Sequence, residues 1–178
     1  MREFWERGYR ETSVDDLVAA TGVRPGSLYN AFQGGKRELF MGALERYAQL
    51  VVPDKLGALE RPGASLAELR AYFDGLVEDL MSPEGRMGCL MVNSTMELAA
   101  VDSEIAKVVR DHMARLERNA ARALRNAKRR GEIPRSVDTA AKATQLMATG
   151  MGLMVVGKTN PGREVLETIV DMAFADLG

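Results

Sequence analysis

Thr12-Ser13-Val14-Asp15-Asp16-Leu17-Val18-Ala19-Ala20-Thr21-Gly22-Val23-Arg24-Pro25-Gly26-Ser27-Leu28-Tyr29-Asn30-Ala31-Phe32 leads through Gln33-Gly34-Gly35 into Lys36-Arg37-Glu38-Leu39-Phe40. The stretch predicts two short helices about a glycine turn, then a longer third helix. Ser13 precedes an apolar-periodic run and Asp16 follows three residues later, a capping-box pattern. Asp15 and Asp16 add negative charge at the positive end of the helix dipole. Gly22 supplies the backbone freedom a helix end needs, and Val23 is expected to pack back against it. Pro25 suits the first turn of the next helix, where a missing N–H costs nothing. Leu28 and Phe32, four apart, are expected inward, with Ser27, Tyr29 and Asn30 outward. Two short helices about such a turn are the DNA-reading arrangement, with the second helix in the major groove.

The ordered set Gly8-Tyr9, Thr12-Ser13-Val14, Leu17, Thr21-Gly22-Val23, Gly26-Ser27-Leu28-Tyr29, Phe32, Lys36 and Glu38-Leu39-Phe40 resembles the N-terminal signature of TetR-family transcriptional regulators. It covers about the first quarter of the chain. The resemblance implies that Arg24, Pro25, Gly26, Ser27 and Asn30 lie nearest base edges. It assigns Tyr29 and Lys36 to phosphate, with Thr12 or Ser13 adding hydroxyl and backbone contacts. Phosphate contacts set register and base contacts carry sequence information.

Three departures from the signature stand out. Arg24 replaces the Ser or Thr cap common in such regulators; it loses the side-chain cap but brings a cation able to fork onto phosphate or guanine. The Gln33-Gly34-Gly35 loop is one residue longer than a frequent version. The chain begins at Met1-Arg2-Glu3-Phe4-Trp5, so only the second half of the usual first helix is expected, with a native start upstream or a trimmed chain.

Composition fits a cytoplasmic regulator. The 178 residues are 46% hydrophobic and 28% charged, enough for a reader plus one larger core. No apolar run is long enough to span a membrane and no signal-peptide pattern follows Met1. One cysteine excludes an intrachain disulfide framework. The net charge is −1, and residues 1–47 hold seven cations and seven anions, which argues against strong non-specific DNA binding.

The expected fold is all-α: an N-terminal helix-turn-helix three-helix domain over 1–47, its first helix truncated, and a larger effector-binding and dimerisation domain over 48–178. Pro53 and Arg61-Pro62-Gly63-Ala64 are expected to break the chain after Tyr47. Ser65-Leu66-Ala67-Glu68 opens a helix to about Met81. Further helices are expected over 89–100, from Asp102 or Ser103 to Arg130, over 138–157 and over 161–177, the last begun by Asn160-Pro161. In the long helix, Arg115, Arg118, Arg122, Arg125 and Arg129 form a basic stripe, read as a solvated face.

The last two helices carry more apolar residues than a solvated pair should expose. Leu146, Val155, Leu166, Ile169, Val170 and Phe174 are therefore assigned to a homodimer interface, against an ordinary monomeric core. Glycines 150 and 152 cost helix stability and suggest close packing. An apolar effector pocket is assigned to Tyr72, Phe73, Leu76, Leu80, Cys89, Asn93, Met96, His112, Met147 and Met151, with Glu97 a further polar candidate. The segment from Gly88 to Asn93 also resembles one in TetR-like regulators that sense electrophiles or oxidants through cysteine; the plainer reading of Cys89 is a small buried hydrophobe.

The resulting expectation is a ligand-responsive regulator, most simply a repressor. It would bind a near-palindromic double-stranded DNA operator as a homodimer, respond to a small apolar or electrophilic effector, and use no metal or other cofactor. The alternatives are a thiol sensor acting through Cys89, or a helical adaptor or enzyme without DNA affinity. One His and one Cys, with no metal-ligand or phosphate-loop spacing, disfavour catalysis.

Overall fold

Nine α-helices and one 3₁₀ turn form the chain in a computed structural model that describes residues 1–178. They are α1 (Arg2–Arg7), α2 (Val14–Thr21), α3 (Pro25–Ala31), α4 (Gly35–Glu60), α5 (Leu66–Met81), α6 (Leu90–Leu98), α7 (Ser103–Arg130), α8 (Thr139–Gly157) and α9 (Arg163–Phe174), with the 3₁₀ turn at Gly85–Met87. No helix is long and apolar enough to cross a membrane.

Local chemistry explains most of these boundaries. Ser13 Oγ accepts the Asp16 N–H at 3.0 Å while Asp16 takes the Ser13 N–H at 2.8 Å, so the expected capping box opens α2. Gly22 ends α2 in the left-handed region at φ 68°. Val23 does not pack back; it is exposed, because nothing in the following turn covers it. Pro25 is the first residue of α3, as expected. The Ser65 N–H donates to Glu68 at 2.8 Å at the start of α5, and the Ser65 hydroxyl donates to Glu132.

Two expected boundaries move. Pro53 does not stop α4, which runs 26 residues through it. Gln49, whose carbonyl loses its partner there, is exposed, so water can satisfy it. The last helix starts at Arg163, capped by Gly162 and not by Asn160, which takes a positive φ of 55°.

The chain divides into two compact units that interleave in sequence. The first comprises Met1–Val52 and Cys89–Arg110; the second comprises Pro53–Gly88 and Asp111–Gly178. In the first, Phe4 is fully buried, and Phe40 meets it edge-on with centroids 5.0 Å apart. Trp5 meets Tyr47 in the same way at 4.9 Å. Leu17, Leu28 and Leu44 complete this small core, with Phe32 half-buried at its margin.

The second unit centres on α5, α8 and α9. Phe73 packs edge-on against Phe174 at 5.4 Å, and Gly150 lies beside the Phe73 ring. Leu146, Leu166, Val170 and Phe174, expected at a dimer interface, are buried in this core instead. The helices are apolar enough on two faces to serve both roles, and these four residues occupy the inner one. The basic stripe of α7 is also only partly solvated. Arg115 grips Glu60 at 2.6 and 2.9 Å, and Arg122 donates to the Leu59 carbonyl at 2.8 Å. Asn126 donates to the Pro62 and Ala64 carbonyls and accepts from Arg129. This seam satisfies the Leu59 carbonyl, which the end of α4 leaves without a helical partner, and the Pro62 and Ala64 carbonyls of the loop that follows.

Candidate nucleic-acid interface

The exposed side of α3 is the candidate reading surface. Thr21 to Ser27, Tyr29 and Asn30 are all exposed, whereas Leu28 is 4% exposed and anchors the helix inward. Tyr29 is 51% exposed, an unusual position for an aromatic ring that the fold does not need there. Nothing lies within 4 Å of a Cβ built on Gly26, so the fold itself does not demand glycine at this outward position.

Arg24 takes an extended conformation before α3 and makes no side-chain cap hydrogen bond. Its guanidinium is left to external groups. Ser13 is exposed, but its hydroxyl donates to Asp16 at 2.6 Å within the capping box.

Two of the expected DNA contacts turn inward. Thr12 is fully buried and its hydroxyl donates to the Gly8 carbonyl at 2.6 Å, so the hydroxyl contact assigned to it is corrected. The Lys36 ammonium donates to the carbonyls of Tyr9 and Thr12, each at 2.9 Å. Glu38 of the same helix takes the Gly34 N–H at 2.7 Å and so closes the lengthened loop. Lys36 therefore ties the α1–α2 loop to α4, a role that no local pattern could reveal.

The candidate effector residues fall in both units. Tyr72, Phe73, Leu76, Leu80, His112, Met147 and Met151 belong to the second; Cys89, Asn93 and Met96 lie at or on α6 in the first. Met96 is 77% exposed and leaves the candidate pocket, since it faces solvent from the end of α6. Phe73, Leu76 and Leu80 are buried, while Tyr72, His112, Met147 and Met151 are half-buried.

His112 continues the line of Ile105, Val109 and Leu116, as expected. Burial first, then the nearby Arg115 charge, pushes its imidazole down to about 4. Cys89 precedes α6 half-buried, with the Tyr47 hydroxyl 3.5 Å from its sulfur. The second unit also holds a groove of about 360 Å³ that the sequence did not suggest, lined by Ser136, Asp138, Gln145, Asp176 and the buried Lys142. Lys142 donates to Gln145 at 3.1 Å and to Asp176.

A helix-turn-helix head with an exposed second helix, followed by a larger helical unit, defines a DNA-binding transcriptional regulator. The family description "Bacterial regulatory proteins, tetR family" matches residues 1–42, and "Tetracyclin repressor-like, C-terminal domain" matches residues 65–171. The chain belongs to the TetR family and is a regulator, not an enzyme.

Among its relatives is the uncharacterized HTH-type transcriptional regulator YezE of Bacillus subtilis, 30% identical over 98% of this chain and 90% of the relative. The HTH-type transcriptional repressor ComR of Escherichia coli is 30% identical over 95% of this chain and 80% of its own. Among solved structures, the TetR family regulator CifR in complex with 26 bp double-strand operator DNA superposes with a TM-score of 0.79. It is 28% identical, and the match covers 97% of this chain and 90% of that one.

Proposed function

We propose that the protein is a homodimeric, cytoplasmic repressor that binds a near-palindromic operator and releases it when a small apolar or electrophilic molecule binds the larger domain. The observation that carries this reading is the α3 face, where Arg24, Pro25, Gly26, Ser27, Tyr29 and Asn30 stand exposed together. Ser13 lies exposed at the start of α2, with its N–H and its hydroxyl both engaged by Asp16. Similarity to a repressor and to a regulator seated on operator DNA supports the same function.

Functionally the chain divides into a reader over 1–47 and an effector and dimerisation region over 48–178. A two-fold site calls for a dimer whose reading helices are spaced about 34–36 Å apart, one turn of duplex. The surface suited to dimerisation is the outer stripe of the last two helices. On α8 it carries Ala148, Gly152 and Val155, at intervals of four and three. On α9 it carries Val165, Ile169 and Met172, with Met172 69% exposed. Val155 and Ile169 thus remain from the interface set expected from sequence. The half-buried Tyr72, His112, Met147 and Met151 are the side chains best placed to meet an effector. Such a ligand must bind the operator-competent and released states unequally, or it shifts nothing.

The test is selection of bound duplexes from a random DNA pool, run beside Tyr29→Ala. An enriched near-palindrome that the variant fails to enrich is the expected result. A folded dimer that enriches no sequence would overturn the reading.

A further inference from the structure

The end of α6 and the turn that leads into α7 grip the DNA-reading head at two places. The Tyr9 N–H donates to Glu97 Oε2 at 2.9 Å and the Arg10 N–H to Glu97 Oε1 at 2.6 Å. These are the first two backbone donors beyond Gly8, whose own N–H closes α1 on the Phe4 carbonyl, and one carboxylate satisfies both through charge-assisted bonds. Gly8 has a φ of +86°, and a Cβ there would sit 3.0 Å from Glu97 Oε2.

From the other side, Lys36 holds the carbonyls of Tyr9 and Thr12. The next residue, Arg37, forks onto Asp102 at 2.7 and 3.0 Å. Asp102 is itself fixed, because it accepts the N–H groups of Glu104 and Ile105 at the start of α7. The segment from Glu97 to Asp102 therefore holds the loop that enters α2 and the start of the helix that leaves α3. The two reading helices lie in sequence between these grips.

We infer that Glu97 is a positioning residue for operator binding: its carboxylate sets the entry of the reading head, and loss of its two backbone bonds is how a change at α6 reaches α2 and α3. This inference rests on the repressor reading above. A head held in register docks base-reading and phosphate contacts together, whereas a loosened head keeps only the sequence-independent attraction of the phosphates.

The experiment uses the full-length dimer, with Glu97→Gln as the near-isosteric change and Glu97→Ala as the deletion. The probes are the selected operator duplex and a random-sequence duplex of equal length, with amide exchange followed at Tyr9 and Arg10. Glu97→Ala is expected to weaken operator binding by about tenfold or more, the scale of a lost charge-assisted hydrogen bond. Random-duplex affinity is expected to hold, and both amides to exchange faster. Glu97→Gln, which keeps one acceptor oxygen, is expected to fall between. Equal losses on both duplexes would make Glu97 merely structural and overturn the inference. So would freed amides with unchanged operator affinity. Wild-type protein that selects no operator would instead show that the repressor reading had failed.

Discussion

The Lys36 ammonium sits 4.4 Å from the centre of the Tyr9 ring while donating to the Tyr9 carbonyl at 2.9 Å. A cation so used holds the reading head together and has little left to offer a phosphate. Lys36→Met is expected to cost about 1.5–3 kcal/mol of stability, because two carbonyls lose a charged donor. The slope of log affinity against log salt is expected to stay constant, where removal of a phosphate contact would lower it by about one. Denaturant titration and salt-dependent binding check this together. A fully stable variant with a reduced slope would return Lys36 to the DNA.

Arg24 is the one long cationic side chain on the exposed stretch from Thr21 to Asn30. Forked pairing of arginine with guanine is the commonest specific major-groove contact. The Arg24→Ala protein is expected to lose preference for guanine at one position per half-site, by about 1–3 kcal/mol, while other positions stay selective. Comparing the sequences selected by the two proteins decides the matter. A loss spread evenly over all positions would place Arg24 on phosphate.

The sequence contains a single histidine, His112, and its half-buried imidazole is held at about 4 in the folded state. The ordinary value is near 6.5, so the unfolded chain binds the proton first. Stability is therefore full above about pH 6.5, declines as pH falls toward 4, and has lost roughly 3 kcal/mol by the lower end. Carboxylates held low, such as Asp102 at about 2, release their contribution only in more acid solution, below about 4. Melting curves between pH 7 and 4.5 are expected to flatten in His112→Leu. An unchanged slope would mean that another group titrates there.

Met172 and Val155 stand out from the second unit with no core role. Charging either one, as Met172→Glu or Val155→Glu, is expected to yield monomers by sedimentation with stability of the protomer within about 0.5 kcal/mol. Phe174→Ala, by contrast, removes a core ring and is expected to cost about 3–5 kcal/mol. A dimer that persists through both surface changes would move the interface elsewhere.

The helix-turn-helix was legible because its signals are local. Ser13 and Asp16 sit three residues apart, and Gly22 and Pro25 mark the turn without reference to anything distant. What stayed hidden depends on long-range partners. Lys36 reads as a surface cation until the Tyr9 and Thr12 carbonyls are seen 27 and 24 residues away. Glu97 reads as a pocket group, although its partners lie 88 and 87 residues back. In α8 and α9 the difficulty was of another kind. Apolar residues cover two faces, so periodicity alone could not separate Leu146 or Val170, turned inward, from Val155, turned out.

The interleaving of the units bears on how such a reader can be engineered. Residues 89–110 close the same compact unit as residues 1–52. A chimera that grafts only the first 47 residues onto a foreign sensor would import the α3 face without Glu97 or Asp102. To transplant this DNA specificity, the later segment must travel with the head, or the recipient must already present a carboxylate to the two backbone N–H groups that follow its first helix.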